Sequence, residues 1–307
     1  MREKKKKKRR WLRVLGIISL LLVIGIGAYA YSVYSSLTNA VETMHQPIQH
    51  KSEKRPEQVT LTKKEPFSVL MLGVDERSGD KGRSDTMIVL TVNPNEKSIK
   101  MLSIPRDTRT EIVGKGFEDK INHAYAFGNE EMSMATAENF LDIPLDYYIK
   151  VNMDGFKDIV DAVGGITVNS SIGFKQDGYS FVKGNNTLNG KEALAYVRMR
   201  KQDPNGDFGR QDRQRQIIQG VIKKGASVSS LTNFDDIFGA LGKNVRTNLT
   251  FDEMKDIQKN YRDAVSNIEQ ISLKGNGQTI NSVWYLIVAN EEQQRVQNEL
   301  KVHLELN

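Results

Sequence analysis

Three short segments place charged side chains where a chain reversal would gather them. In the first, Leu72-Gly-Val-Asp75 runs into a Gly-rich stretch that closes at Arg83-Ser-Asp85. If the apolar runs on either side are adjacent strands, Asp75 and Asp85 meet across the loop and can share one hard cation. Magnesium suits such a site, because it takes a few carboxylates plus substrate phosphate oxygens. Turn chemistry is the competing reading, since Asp and Gly are common in loops. The second segment, Ser103-Ile-Pro105-Arg106-Asp107-Thr-Arg109, presents two arginines around an aspartate after a strand-like run. Arginine forks match phosphate oxygens in bidentate fashion; a local surface ion network is the alternative. The third is Arg198-Met-Arg200, followed by Asp207 to Arg215. Arg210 and Gln214 are four apart and share a helix face. Arg213 and Arg215 fit a solvated helical face.

Charge bookkeeping sharpens these readings. The first 13 residues hold nine cationic side chains against Glu3, a surplus of eight, so the rest of the chain sums to −2 of the formal +6. A basic body suited to nucleic acid is not indicated. Within that slightly acidic body, Arg83, Arg106, Arg109, Arg198, Arg200 and Arg210 form a set suited to a polyanion, most simply a pyrophosphate. No P-loop spacing, G-x-S-x-G elbow or H-E-x-x-H occurs. With four histidines, one of them His303 near the C-terminus, a Ser-His-Asp enzyme is disfavoured. The absence of cysteine excludes disulfides and thiolate metal sites.

The elements that must position these groups are readable from periodicity. Phe67 to Val74, Thr86 to Val92 and Ser98 to Ile104 are short, continuous, branched apolar runs, as in strands buried on both faces. Further strands are expected at Tyr147 to Met153, Ile166 to Val168, Ile268 to Lys274 and Val283 to Ala289. Helical spacing marks Ala124 to Leu141, Asn189 to Met199, Gln211 to Lys224 and the stretch from Asn290. Asp154 is the expected N-cap of a helix ending before Gly164-Gly165. Residues 231–263 read as one or two helices, the second capped by Thr250. Alternation of this kind predicts an α/β fold, one layered domain with a central mixed sheet flanked by helices.

Ahead of the body, the basic tail leads into the uncharged run from Val14 to Ala30, with Tyr29, Tyr31 and Tyr34 at its far end. This predicts a transmembrane helix with the N-terminus inside and the body outside. A cleaved signal peptide ending at Ala28-Tyr-Ala30 is the alternative, and it exports the body equally. The expected division is a cytoplasmic tail (1–11), an anchor (12–34), a polar stalk (35–65) and a catalytic domain (66–307). His45 and His50 are expected to be solvated.

The motifs LGVD…GRSDT, SIPRDTR, KINHAYAFG, GF..IVDAVGGI.V and ALAYVRMR…GDFGRQDRQRQ occur in this order between about Phe67 and Gly220. In this the chain resembles the LytR-CpsA-Psr family of cell-wall ligases, and its anchor and short stalk are similar to those of the Gram-positive wall teichoic acid members. The resemblance implies a hydrophobic tunnel for a polyprenyl chain and a cationic head-group site. It implies magnesium, with manganese as a substitute, on Asp75 and Asp85. Arg83, Arg106, Arg198 and Arg200 would hold the pyrophosphate, with Arg109, Arg210 and Gln214 beside them. Lys120, Asn122 and His123 fall in a matching stretch, where His123 is expected to be structural among core neighbours Ala124, Tyr125 and Phe127. The implied reaction moves a glycopolymer from a polyprenyl-pyrophosphate carrier to N-acetylmuramic acid of peptidoglycan. Arg83 and Arg106 would neutralise charge and Asp75 or Asp107 would accept the proton. A lipid pyrophosphate hydrolase and a non-catalytic polyprenyl-phosphate-binding regulator are the other readings.

Overall fold

The continuous apolar runs pair as the centre of one sheet. The computed structural model describes residues 2–55, 57–75, 82–227, 242 and 244–306. In chain order the elements are α1 (Arg2–Met44), β1 (Phe67–Val74), β2 (Ser84–Asn93), β3 (Ser98–Ile104), β4 (Arg109–Glu111), β5 (Glu118–Lys120), α2 (His123–Leu141), β6 (Tyr147–Asn152), α3 (Met153–Ala162) and β7 (Ile166–Ser170). They continue with β8 (Phe174–Gln176), β9 (Tyr179–Phe181), β10 (Gly184–Leu188), α4 (Gly190–Arg198), α5 (Gly206–Ser227), β11 (Val245–Thr247), α6 (Phe251–Asn260), β12 (Asn267–Ile271), β13 (Asn276–Ile280), β14 (Val283–Ile287) and α7 (Asn290–His303).

Six strands form the main sheet in the order β11-β6-β1-β2-β3-β12. Pairing is antiparallel between β1 and β2, β2 and β3, and β6 and β11, and parallel between β1 and β6 and between β3 and β12. The expected mixed sheet is therefore present. Side chains alternate across it as strand geometry requires. Leu70, Leu72 and Val74 join one core with Tyr125, Phe140 and Leu300 from α2 and α7. Phe67 and Val69 join a second core on the opposite face, against which Ile218, Ile222 and Met254 of α5 and α6 pack. Helices on both faces bury both sides of β1, which is why its sequence is apolar apart from Ser68, whose hydroxyl is satisfied by the Pro144 carbonyl and Asp146.

Several expectations change. The cap of α3 is Asn152, whose side chain accepts from the Gly155 amide, so the Asp154 assignment fails. The strand ends one residue sooner than its apolar character, and Asp154 then falls inside the first turn. Thr250 does cap α6, in a reciprocal box with Glu253. α5 begins at Gly206, five residues before the expected start. Most of the helical stretch expected before Thr250 lies outside the described residues. The short strands β4, β5, β8, β9, β10, β11 and β13 were not foreseen, because three to five residues give no periodicity to read.

The polar segment expected as a stalk is partly folded onto the body. α1 continues to Met44, and Val41, Met44, Val59 and Leu61 are buried. His45 is not simply solvated: its Nδ1 lies 3.1 Å from the Leu249 carbonyl, and its backbone bridges Thr247. His50 lies 3.4 Å from Glu138. Isolated apolar residues among lysines carry no pattern; an exposed sheet edge at β11 and partners far along the chain bury them.

His303 closes the C-terminal helix against the sheet. It is fully buried, with Nδ1 2.7 Å from Thr91 Oγ1 and Nε2 2.8 Å from Ser98 Oγ. Burial pushes it down to about 4, with Lys100 adding to the effect. The folded state thus resists a proton that the unfolded chain accepts from about pH 6.5 downward. Stability is present above that value and is lost as pH falls towards 4, by roughly 3 kcal/mol for a shift of this size. Thermal unfolding followed between pH 7 and 4 should show this slope in the wild type. It should flatten in His303→Gln, which cannot titrate.

Candidate active site

Backbone irregularity at the end of β1 creates the acidic half of the site. Gly73 pairs with Thr86, but the next pair is Val74 with Ser84, so Asp85 is an extra residue in β2. Such a bulge redirects a side chain and ends regular pairing. Gly82, at φ +71°, brings the returning loop so close to Asp75 that a Cβ there would stand 2.9 Å from the Asp75 carbonyl oxygen. A side chain is excluded on both counts. The two carboxylate-bearing positions are thus held at one end of the sheet, as the spacing predicts. The Gly-rich residues 76–81 between them lie outside the described residues.

The basic half comes from β3 and α5. Arg106 Nη1 donates to Asp85 Oδ1 at 2.9 Å, and its Nε lies 3.6 Å from Asp107 Oδ2 without hydrogen-bond geometry. Burial opposes the charge on Arg106, but Asp85, Asp107 and Asp207 together raise its pKa above the usual value. On α5, Arg210 Nη2 lies 2.8 Å from Asp207, and Arg200 reaches the same carboxylate at 3.7 Å. Burial lowers the Arg210 pKa; Asp207 opposes this, while the nearby positive Arg106 and Arg200 reinforce it. One turn further, Gln214 Nε2 donates to Thr86 Oγ1 at 2.9 Å, which ties α5 to β2 beside the bulge. The predicted shared face of Arg210 and Gln214 is therefore present. The Nε atoms of both Arg106 and Arg210 are buried without a hydrogen-bond acceptor. Two orphaned guanidinium donors at one place fit an anionic ligand, since such donors are costly to leave unpaired.

Not every predicted residue joins this cluster. Arg83 is exposed on the loop before β2. Arg109 turns to Glu118, at 2.5 Å, and stands over the Tyr285 ring at 5.9 Å. Arg198 ends α4 half-exposed, with Asp177 at 3.9 Å, while Arg200 faces Asp207 on the other side of buried Met199. Asp107 accepts from Lys120 Nζ at 2.6 Å. His123 packs as a structural group in that it holds Asp119 at 2.7 Å, and Asp119 also accepts from Tyr285. Phe127, expected in the core, is instead 42% exposed and meets Phe117 edge to face. A change of direction at Gly128 and Asn129 inside α2 ends the helical register that the core assignment relied on.

The largest correction concerns Arg213 and Arg215. Arg213 is buried and Arg215 partly buried, rather than on a solvated face. Arg213 pairs with Asp203, donates to the Tyr196 and Met199 carbonyls at 3.1 and 2.5 Å, and lies over Phe174. Arg215 donates to Gln270 at 2.9 Å. α5 packs against β7, α4 and β3, so charged residues on more than one of its faces are enclosed. Asp207 was missed as a site residue; its signal is the i,i+3 spacing to Arg210 in the first turn of a helix.

Behind the arginines lies an apolar cavity of about 420 Å³ between the sheet and α3, α5 and α6. Gly73, Thr86 and Gln214 line its polar end, and Met71, Ile218 and Met254 are among its apolar walls. A Cβ at Gly73 would stand 2.9 Å from the Thr86 Cβ, so the glycine permits the close strand approach here. Among the described residues no group of three or more His, Cys, Asp or Glu is placed to hold a metal. The donor set of Asp75 and Asp85 fits a hard cation whose shell is completed by substrate oxygens and water, rather than an all-protein cage.

The LytR_cpsA_psr family model matches residues 31–302. The chain is 56% identical over 302 residues to the polyisoprenyl-teichoic acid–peptidoglycan teichoic acid transferase TagU of Bacillus subtilis (strain 168), covering 98% of each chain. Among solved structures, B. subtilis TagU is 55% identical, with a TM-score of 0.65 over 80% of this chain and 99% of that one. A structure of TagT bound to LIIa-WTA is 33% identical, with a TM-score of 0.73 over 85% of this chain and 100% of that one.

Proposed function

The chain belongs to the LytR-CpsA-Psr family, and from that premise and the site geometry we propose that it transfers an anionic glycopolymer of the wall teichoic acid type from a polyprenyl-pyrophosphate carrier to N-acetylmuramic acid of peptidoglycan. The observation that carries this reading is the junction of two unlike surfaces. Arg106 and Arg210 carry buried guanidinium donors without acceptors, and Arg210 stands one helical turn from Gln214, which with Thr86 lines the apolar cavity. A ligand that satisfies both has an anionic head and a long hydrocarbon tail.

The residues then divide the work. Arg106, Arg200 and Arg210 bind the pyrophosphate, and Arg83 and Arg198 reach it from the exposed rim. Asp75 and Asp85 would hold magnesium, which when bound supplies further neutralisation of the leaving phosphate. Stabilising charge on the phosphoryl oxygens is the main demand of this chemistry. The acceptor hydroxyl oxygen bonds to the polymer-side phosphorus, the bridging P–O bond breaks, and polyprenyl monophosphate leaves. Asp75 or Asp107 takes the hydroxyl proton; Lys120 fixes the Asp107 carboxylate in place.

The test incubates the full chain with lipid-linked polymer, magnesium and peptidoglycan oligomers. New polymer–glycan conjugate is expected, and free phosphorylated polymer alone would mark a hydrolase instead. Asp75→Ala and Asp85→Ala should reduce conjugate formation at least a hundredfold, on the order of one lost transition-state charge contact, with the fold retained. Undiminished transfer by the wild type in EDTA would remove the metal from the mechanism.

One described helix, Ser19–Met44, is long and apolar enough to cross a membrane. The basic tail before it supports a topology with the N-terminus inside and the body outside. Protease added to intact protoplasts should therefore digest the body; a fully protected body would reverse this orientation.

A further inference from the structure

The anchor helix does not end at the membrane. Fourteen residues separate Ala30, the end of the uncharged run, from Met44, the end of α1, which is roughly 20 Å of helix. That last part is docked firmly: the Gln46 amide donates to the Thr247 carbonyl at 2.7 Å, and Tyr148 Oη donates to the Gln46 carbonyl at 2.9 Å. Between α1 and α6 runs a second, smaller hollow of about 270 Å³. Tyr34, Thr38 and Val41 line it from α1 and Phe251 from α6, with the polar Glu42, His45, Thr250 and Asp252 also on its wall. Tyr34 meets Phe251 edge to face at 5.7 Å.

This hollow and the large apolar cavity share a wall. Val41 and Met44 are three apart on α1, and Phe251 and Met254 are three apart on α6, so each pair lies on one helix face. The first member of each pair lines the hollow, and the second lines the cavity. All four belong to one apolar cluster with Val245. The partition is therefore a single layer of side chains, and two of its members are methionines, whose unbranched side chains rearrange readily.

We propose that the hollow between α1 and α6 is the access path by which the polyprenyl chain leaves the bilayer and enters the cavity, with Val41, Met44, Phe251 and Met254 as its gate. This rests on the reading that the cavity holds the polyprenyl chain. The occupant follows from continuity. One end of the path is a helix that emerges from the membrane, and the other is a cavity too apolar to hold water well. The anchor then does more than tether the body. Its last turns guide the tail along a protein surface while the pyrophosphate stays in water.

The experiment compares two donors with the full chain in lipid nanodiscs. One donor is a long-chain polyprenyl-pyrophosphate glycopolymer embedded in the disc. The other is a water-soluble analogue with two or three isoprene units, which can reach the arginines without passing the hollow. Thr38→Trp fills the hollow from a position outside the cavity, and Thr38→Ser keeps it open. Thr38→Trp should slow transfer from the embedded donor at least tenfold and leave transfer from the soluble donor within twofold of wild type. Thr38→Ser should match wild type with both. Equal effects of Thr38→Trp on the two donors, whether no loss or the same loss, overturn the access path. A wild-type chain that transfers neither donor overturns the transferase reading itself.

Discussion

Arg210→Ala should lose polyprenyl pyrophosphate affinity by about ten- to a hundredfold while its unfolding temperature stays at or above that of the wild type. The two halves of this result have one cause. Arg210 is buried beside Arg106 and Arg200, and burial and these two arginines together outweigh the attraction of Asp207 and Asp85, so its charge is disfavoured in the unliganded protein. Removing one member relieves repulsion in the free protein. In the complex it deletes a charge-assisted hydrogen bond, a contact of about 1.5–3 kcal/mol, which sets the expected loss of affinity. Arg106→Ala should lose affinity by a similar factor, but it also strips Asp85 of its 2.9 Å partner and should disturb the metal dependence. Arg→Lys at either position keeps the charge and loses the fork, so partial recovery is expected. Arg295→Ala is the control. Its partners Glu292 and Glu299 lie on its own helix and its side chain is about half exposed, and such pairs contribute about 0–1 kcal/mol. Calorimetric titration with polyprenyl pyrophosphate and thermal melts decide the matter. Unchanged affinity in both alanine variants would mean that the anionic head binds elsewhere.

The second large effect is on stability. Arg213→Ala should destabilise the body by about 3–5 kcal/mol, the cost of leaving one partner of a buried ion pair alone. Asp203 is the partner left behind, and its side chain is 5% exposed. Burial alone would raise the Asp203 pKa, yet the bond to Arg213 and the Asn205 amide hold it below the ordinary carboxylate value. Arg213 also satisfies the Tyr196 and Met199 carbonyls at the C-terminal end of α4. Carbonyls at that position have no partner within the helix. Losing the guanidinium therefore loosens the chain that carries Arg198 and Arg200, and transfer should fall as a consequence. Denaturant unfolding should show a lower midpoint for Arg213→Ala and a smaller loss for Arg213→Lys. A melt equal to wild type would show that Arg213 is solvated after all.

The local sequence determined the sheet centre, because a strand covered on both faces is apolar on both, as β1 is from Val69 to Leu72. It also determined the helices whose caps are encoded within four residues, Thr250 to Glu253 among them. The pairing of Arg210 with Gln214 on one face needed only the helical repeat. Even the placing of Asp75 and Asp85 at one end of the sheet followed from two apolar runs separated by a Gly-rich turn. Burial of charge was decided elsewhere. Arg210, Arg213 and Arg215 stand within six residues of one another on α5, and nothing in their spacing separates a ligand contact from a structural pair. Asp207 and Asp203 make the difference, together with the packing of α5 against β2 and α4. The last turn of α1 is the same kind of case: Val41 and Met44 are unremarkable among polar neighbours until β11, some 200 residues later, provides the surface that buries them. Sequence period reports which face of an element is apolar; only contacts between distant segments set which charges lose their water, and that desolvation is what gives an arginine its role.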